Sequence, residues 1–182
     1  FHTQVEQLIV FNFDGSNLIA QNSASSETHG VEAEIKFLWQ ALDGYFNYSY
    51  QDTRRAASEF SLNPLERRAS GELFPKQTVN FGLTYLWQPL DLRLGFESRW
   101  VDVRPASNSN VLVANQTYEL DSYFVSDLVI TKDSWTLLEG QTTRIQLKIN
   151  DLFDQQYVNP GFGGIEFPSR GRQYTLSLSQ TF

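Results

Sequence analysis

Residues 78–101 read TVNFGLTYLWQPLDLRLGFESRWV, and apolar and polar side chains alternate along most of this stretch. In segment 91–101 the apolar positions are Leu92, Leu94, Phe96 and Trp100. Segment 78–88 alternates in the same way, with Leu86 as its exception. Alternation with a period of two indicates β-strands that have one apolar face. Because Pro89 marks a turn between the two segments, the stretch predicts a pair of antiparallel strands.

Six other segments also have strand-like sequence. They are 4–13, 31–39, 45–51, 121–132, 144–150 and 173–182. Segments 4–13 and 121–132 carry apolar residues on both faces, but β-branched and aromatic residues dominate them and favour strands. The chain is therefore predicted to be all-β, with about eight strands and no helix.

The predicted connections alternate in length. The long, polar ones are 14–27, 53–75, 104–120 and 152–171, and the shorter ones are 40–43, 89–90 and 133–141. Short turns on one side and long loops on the other are typical of outer-membrane barrels. A soluble β-sandwich also has alternating strands, but it has no reason to sort its loops in this way. We therefore expect an antiparallel transmembrane β-barrel.

Composition excludes other classes. No apolar run approaches the roughly 18–20 residues of a membrane-spanning helix. The net charge of −7, without a basic stripe, argues against a nucleic-acid partner. Because the chain opens directly in strand-like sequence and shows no signal peptide, we expect it to be a fragment of a longer polypeptide.

Aromatic residues stand near the ends of the apolar stripes, as expected for girdles at the two membrane interfaces. The predicted girdle residues are Trp39, Trp87, Trp100, Tyr174 and Phe182. The opposite, charged faces would then line the lumen. Their charged residues are Glu32, Glu34, Lys36, Arg93, Glu97, Arg99, Arg144 and Lys148.

Four stretches also occur in a characteristic order. Residues 21–38 include HGVEAE, residues 74–85 read FPKQTVNFGLTY, residues 150–157 read NDLFDQQY, and residues 168–174 read PSRGRQY ahead of a terminal Phe182. In this order they resemble the C-terminal part of the barrel of TonB-dependent outer-membrane receptors. The departures are an additional Asp151, residues 169–172 where the family usually reads Pro-Gly-Arg, and Gln180 in place of an aromatic residue.

The resemblance implies a 22-stranded barrel closed by an N-terminal plug. Residues 1–182 would form the C-terminal portion of the barrel domain, with the plug absent from this chain. The implied partners are the lipid bilayer and lipopolysaccharide, the TonB complex through the missing N-terminal part, and the barrel-assembly machinery through the last strand. The implied function is TonB-energised uptake, in the bacterial outer membrane, of a small-molecule ligand such as a ferric siderophore, or of haem, cobalamin or a glycan.

Candidate ligand contacts follow from this interpretation. They are Arg93, Glu97, Arg99, Arg144 and Lys148 on the inner wall, and Tyr157 and Phe162 in the last loop. Arginine suits anionic ligands because it bonds carboxylates bidentately. The same charges are also explained by cross-strand ion pairs and by contact with the plug. In addition, the glycines at 161–164 suggest a mobile loop tip.

An alternative interpretation is a self-contained eight-stranded barrel with a structural or adhesion role, because eight strands can also close a barrel. A third, an outer-membrane hydrolase, has little support. The only histidines are His2 and His29, and neither has an evident catalytic partner in the sequence. With no cysteine and no histidine pair at ligand spacing, we expect no enzyme activity, no cofactor and no metal site.

Overall fold

The computed structural model describes residues 1–14, 17–55, 74–136 and 141–181. The strands are β1 (His2–Asp14), β2 (Asn17–Trp39), β3 (Leu42–Arg55), β4 (Gln77–Trp87), β5 (Leu92–Val101), β6 (Arg104–Pro105), β7 (Glu119–Leu120), β8 (Tyr123–Trp135), β9 (Thr142–Asn150), β10 (Val158–Phe162), β11 (Ile165–Pro168) and β12 (Gln173–Thr181). Among the residues that the structure describes, an α-helix, α1, spans Asn108–Ala114, and a 3-10 turn spans Gln88–Leu90.

Eight of these strands form a single sheet in the order β1-β2-β3-β4-β5-β8-β9-β12. Every neighbouring pair is antiparallel, and the order follows the chain. Two small ribbons, β6–β7 and β10–β11, lie in the connections that precede β8 and β12. The predicted all-β, antiparallel architecture is therefore confirmed, and β1 and β12 are the two edges of the sheet within the described residues.

The register sorts side chains into rows that cross the sheet. One row contains Phe37, Gly44, Leu83, Phe96, Leu128, Ile149 and Tyr174. The next row contains Lys36, Tyr45, Gly82, Glu97 and Asp127. Since successive residues of a strand point to opposite faces, one face of the sheet is apolar and the other is polar and charged.

The apolar face is largely uncovered. Ile35 is 61% exposed, Leu176 is 74% exposed and Leu178 is 62% exposed. A protein surrounded by water rarely leaves such a stripe open, whereas the lipid-facing side of a barrel requires it. The buried apolar residues lie instead at the end of the sheet that carries the long loops: Val101, Ala106, Val111, Leu120 and Tyr123.

On the polar face, one side chain of β3 packs closely against the backbone of β4. Tyr45 of β3 lies directly over Gly82 of β4, and a Cβ atom on Gly82 would stand 2.3 Å from the tyrosine ring. Only glycine leaves room for the ring at this register position. The pair fixes a large aromatic side chain on the inner wall.

Two connections differ from the prediction. The predicted loop 14–27 is wrong, because β2 begins at Asn17 and pairs with β1 as far as Asp14. Residues 17–27 do not alternate between apolar and polar side chains, so their sequence does not indicate a strand although the backbone pairing with β1 continues. The predicted connection 133–141 is also too long, because β8 continues to Trp135.

The prediction of no helix is wrong as well. Helix α1 lies in the predicted loop 104–120, where Ser107 caps it by accepting a hydrogen bond from the Asn110 backbone N–H at 3.2 Å. Serine is a favoured N-cap residue, but the β-branched Val111 and Val113 weaken the helical signal. Burial of Asn110 and Val111 against the neighbouring loop therefore stabilises a helix that local preference would not.

The predicted girdle residues lie at both ends of the sheet. Trp39 and Trp87 end β2 and β4 beside short turns, while Trp100 and Tyr174 lie in β5 and β12 close to the long loops. Phe182 lies outside the described residues. The contact of these rings with a membrane interface stays a prediction. Within the described part of the chain, no helix is both long enough and apolar enough to cross a membrane.

Adjacent residues of β4 test the assignment of the two faces. Leu83→Arg places a charge in the middle of the apolar row and should destabilise the folded barrel by about 2–4 kcal/mol. Thr84→Arg places the same side chain on the polar face and should cost far less. Unfolding in urea of the complete protein, refolded into lipid vesicles, measures both changes. Equal destabilisation by the two substitutions would contradict the assignment.

Candidate ligand-facing site

The polar face of the sheet borders an open hollow of about 470 Å³. Its wall comes from β2 to β5, β8 and β9, and it includes Lys36, Tyr45, Arg93, Glu97 and Arg144. These are the charged positions that the alternation predicted for the inner wall, together with one tyrosine that the alternation did not single out. Charged side chains thus border this hollow together with apolar ones such as Phe37 and Val129.

At the turn end of this wall, two predicted arginines share one carboxylate. Arg93 and Arg144 lie 3.3 Å and 3.2 Å from the two oxygens of Asp133. Asp133 was predicted to lie in a turn, but it continues β8 two residues beyond Thr131 and so lies on the same face. Partly exposed ion pairs contribute about 0–1 kcal/mol each. The group mainly fixes where these two cations stand.

Toward the loop end, the charges are arranged differently. Lys148 lies 3.9 Å from Asp127, at the outer limit of an ion pair. Glu97, Arg99 and Asp127 border a second hollow of about 290 Å³. Among the described residues, no carboxylate lies within ion-pair distance of Arg99, whose guanidinium carbon is 5.8 Å from the ring centre of Tyr123.

A cap of two packed connections covers the loop end. It is formed by residues 102–122 and 151–172, and its centre is an aromatic stack of Tyr123 on Tyr157, with ring centres 3.9 Å apart. The guanidinium of Arg104 lies 4.7 Å from the Tyr123 ring centre and is only 4% exposed. It also donates hydrogen bonds to Asn159 Oδ1 at 2.8 Å and to the Val158 carbonyl at 2.7 Å. A cation over a ring and two directed hydrogen bonds use the planar geometry of arginine.

Glu166 joins the same two connections. Its carboxylate accepts hydrogen bonds from Tyr118 Oη at 2.5 Å, from Asn110 Nδ2 at 2.7 Å and from the Gly161 backbone N–H at 2.8 Å. Asn110 is fully buried. A carboxylate that accepts three hydrogen bonds is a strong link between loops.

These contacts change the acidity of the groups. Burial opposes ionisation of Glu166, but the hydrogen bonds from Tyr118, Asn110 and Gly161, together with the nearby Arg104 charge, outweigh it and lower the pKa of this carboxyl. The hydrogen bond to Glu166, assisted by burial, raises the pKa of Tyr118. The cap is therefore held by an ionised glutamate and a protonated tyrosine.

The glycine-rich tip also contacts α1. Gly163 and Gly164 have φ values of 67° and 89°, which suit the two-residue turn between β10 and β11. Their backbone N–H groups donate to Ser109 Oγ at 2.9 Å and to Asn110 Oδ1 at 2.7 Å. These hydrogen bonds join the tip to α1, and its mobility stays a prediction. The neighbouring Phe162 is 76% exposed at this tip.

Two of the stretches that carried the resemblance meet in space. Asp154 accepts a hydrogen bond from the Arg172 backbone N–H at 2.9 Å, and the Arg172 guanidinium Nε donates to the Asp151 carbonyl at 3.4 Å. The Ser169 backbone N–H donates to the Tyr157 carbonyl at 2.7 Å. Asp151, an extra residue relative to the usual pattern, accepts from the Gln155 backbone N–H at 2.9 Å and so closes the turn after β9. The two stretches thus hold the base of the cap together.

The chain matches the family described as "TonB dependent receptor-like, beta-barrel" over residues 1–152. It therefore belongs to the TonB-dependent receptor β-barrel family, as the sequence predicted, and it is part of an outer-membrane β-barrel.

Solved structures agree in fold. The FrpB iron transporter from Neisseria meningitidis superposes with a TM-score of 0.72 at 17% identity, covering 99% of this chain and 27% of that chain. The pyoverdine outer-membrane receptor FpvA from Pseudomonas aeruginosa gives 0.70 at 17% identity, with 98% and 26% covered. The siderophore receptor PiuA from Acinetobacter baumannii gives 0.73 at 19% identity, with 98% and 24% covered. The chain thus spans about a quarter of the length of these proteins.

The structure separates the predicted contact residues into three places. Arg93 and Arg144 lie at the turn end of the wall, Glu97, Arg99 and Lys148 lie closer to the loop end, and Tyr157 and Phe162 lie in the cap. The residues that build the cap were missed. Arg104, Asn110, Tyr118 and Glu166 stand far apart in sequence in polar loops, and no spacing rule connects them.

The lowered pKa of Glu166 predicts how the cap responds to acid. A group whose pKa is lower in the folded state stabilises that state above its unfolded pKa, which is about 4.3 for glutamate. This contribution is lost as the pH falls through the lower, folded pKa. Hydrogen exchange at the amides of Gly161 and Gly164, corrected for the intrinsic rate, should show full protection above about pH 5 and declining protection below about pH 4.3.

Glu166→Gln is the matched variant for this measurement. It keeps the shape but removes the charge, so protection should be reduced at pH 7 and should depend less on pH. Unchanged protection at pH 7 would show that the charge of Glu166 does not hold the cap.

Proposed function

We propose that the protein containing this chain is an outer-membrane uptake receptor energised through TonB, and that its ligand is a ferric siderophore or another large, scarce nutrient such as haem, cobalamin or a glycan. Residues 1–182 would supply the last eight strands of a 22-stranded barrel. The plug and the segment that contacts TonB would belong to the remainder of that protein. Membership of the receptor family, together with a charged inner wall beneath an ordered cap, supports this proposal.

The proposed class of ligand rests on the position of one arginine in the wall. Arg99 borders the hollow nearest the cap, and the described residues offer it no ion-pair partner, unlike Arg93 and Arg144 at the other end. An arginine in that position suits the carboxylate or other oxygen anions of a ligand that enters from the loop end. Two of the structural relatives are named as a pyoverdine receptor and a siderophore receptor, which is consistent with this class.

The cap would make the first contact. Phe162 stands exposed at its tip, and Tyr157 is held at its centre by the stack on Tyr123. Ligand would be captured by aromatic groups outside and then pass to Arg99, Glu97 and the inner wall when the plug is remodelled. Lys148, Arg93 and Arg144 would lie further along this route or contact the plug.

The proposed partners follow the same geometry. The apolar face would meet the bilayer, and the loop end would meet lipopolysaccharide. The last strand, β12, would be the segment that the barrel-assembly machinery reads. The alternative of a closed eight-stranded barrel would need β1 to pair with β12, and these strands are the two edges of the sheet in the described residues.

The experiment is uptake by the complete receptor in cells that lack other receptors for the same ligands. A panel of labelled ferric siderophores, haem, cobalamin and glycans would be supplied with and without an active TonB system. We expect one class to accumulate only when TonB is active. Binding of no member of the panel, or accumulation that does not depend on TonB, would contradict the proposal.

Arg99→Gln tests the proposed contact. Losing a hydrogen bond between charged groups should weaken equilibrium binding of an anionic ligand by about 1.5–3 kcal/mol. The matched control is Arg93→Gln, which changes the same kind of side chain at the turn end, where it is already paired with Asp133. It should affect binding much less. Similar losses from both substitutions would show that position along the wall does not determine the contact.

A further inference from the structure

The β1–β2 hairpin brings together the only two histidines of the chain. His2 and His29 are directly opposite each other in the register of these strands, 27 residues apart in sequence. Their Nδ1 atoms are 3.0 Å apart and their rings are stacked with centres at 4.9 Å. Glu27, two residues before His29 on the same face, has a carboxylate oxygen 3.6 Å from His29 Nε2 and 3.9 Å from His2 Nε2.

The backbone itself enforces this proximity. Phe1 and Gly30 exchange two hydrogen bonds, of 3.0 Å and 2.8 Å, and therefore form a hydrogen-bonded pair. The next pair along an antiparallel ladder, His2 with His29, is then a non-hydrogen-bonded pair, in which side chains approach most closely. The register therefore places the two histidines directly opposite each other, and in the observed rotamers their rings are in contact.

The cluster is open to solvent and lies beyond the apolar band. The side chains of His2, Glu27 and His29 are 52%, 47% and 46% exposed. Glu27 and His29 have the same parity as Val31 and Ile35 on the outer face, and His2 lies opposite His29 on β1. The cluster lies toward the loop end of the sheet, where His29 is level with Asp52 of β3. An ion in the external medium can therefore reach them without entering the barrel.

We propose that His2, His29 and Glu27 bind one divalent transition-metal ion, of the class of Zn²⁺, Cu²⁺ or Ni²⁺, on the outer face of this hairpin. One donor atom from each residue lies within 4.8 Å of the others. A tetrahedral zinc ion needs donor atoms about 3.3 Å apart, given bond lengths of about 2.0–2.1 Å, so small side-chain rotations complete the set. Two imidazoles and a carboxylate suit these metals and leave a coordination position for water or an external ligand.

Without an ion, the two Nδ1 atoms, 3.0 Å apart, form a hydrogen bond in which either ring can be the donor, depending on the tautomers. An ion between the lone pairs replaces that proton and joins β1 to β2. The site is independent of the proposed uptake function, because none of its ligands faces the inner wall.

The test is metal binding to the complete receptor in detergent, after removal of metal with a chelator. Zn²⁺ is titrated calorimetrically, and Cu²⁺ is followed by electron paramagnetic resonance. Wild type should bind one ion more than His2→Asn or His29→Asn. In the Cu²⁺ spectra, wild type should show hyperfine coupling to the nitrogens of two imidazole rings, and each histidine variant should show coupling to only one ring. Since losing an outer-shell partner already weakens metal binding about 10–100-fold, Glu27→Gln should weaken this site by at least about tenfold.

Glu34→Gln is the matched control, because Glu34 lies on the same strand and its carboxylate contacts Lys36 at 3.0 Å. It should bind metal like wild type. Equal stoichiometry and affinity in wild type and in both histidine variants would overturn the proposal. A loss of metal affinity in Glu34→Gln as large as that in Glu27→Gln would also overturn it.

A second measurement separates geometry from folding defects. In the double variant His2→Cys with His29→Cys, adjacent positions of a non-hydrogen-bonded pair should form a disulfide on mild oxidation. Failure to form it in a correctly folded barrel would show that the two positions are not neighbours, and the metal site would be withdrawn.

Discussion

Backbone hydrogen bonding between strands, in surroundings where lipid removes water, is the constraint on which the rest of this structure depends. Each N–H and C=O group in the membrane must find a partner on a neighbouring strand. The eight-stranded sheet does this with antiparallel pairing throughout, and its register shifts only in the β1–β2 and β8–β9 pairs among the described residues. The register determines which side chains face lipid and which face the lumen, because a slip of one residue would move every side chain of a strand to the other face. Phe96 and Leu128 share a row on the outer face, while Glu97 and Asp127 share the next row on the inner face.

Along the inner wall, the two ends of the sheet differ: charges are paired with each other at the turn end, whereas the loop end offers a cation for the proposed ligand binding. The turn end of the inner wall contains a closed charge group, in which Asp133 satisfies two arginines. At the loop end, Arg99 stands beside an aromatic ring instead. The cap above it is the part that resembles a globular protein. It has a buried polar residue, Asn110, and an ionised carboxylate, Glu166, that ties together loops distant in sequence.

The sequence alone could predict the strands, whose alternation repeats along the chain, but not features that occur once, such as α1 and the contacts of Asp133. Period-two alternation identified the strands within the apolar band, and it assigned Arg93 and Arg144 to the inner face. It failed in residues 17–27, where apolar and polar residues do not alternate, so this part of β2 was taken for a loop. It also failed for α1 and for Asp133, whose roles depend on neighbours from other strands or loops. The pair His2 and His29 illustrates the limit, because only the hairpin register makes neighbours of residues 27 apart.

The most direct test of the central claim, that this sheet is a barrel wall with lipid on one side and an aqueous lumen on the other, is a spin-label scan along β4 of the complete protein in lipid vesicles. Labels would be placed one at a time from Val79 to Tyr85, and their accessibility to oxygen and to a water-soluble nickel chelate would be compared. The account predicts strict alternation, with oxygen favoured at 79, 81, 83 and 85 and the chelate favoured at 80, 82 and 84. Uniform accessibility, or alternation of the opposite sense, would contradict it.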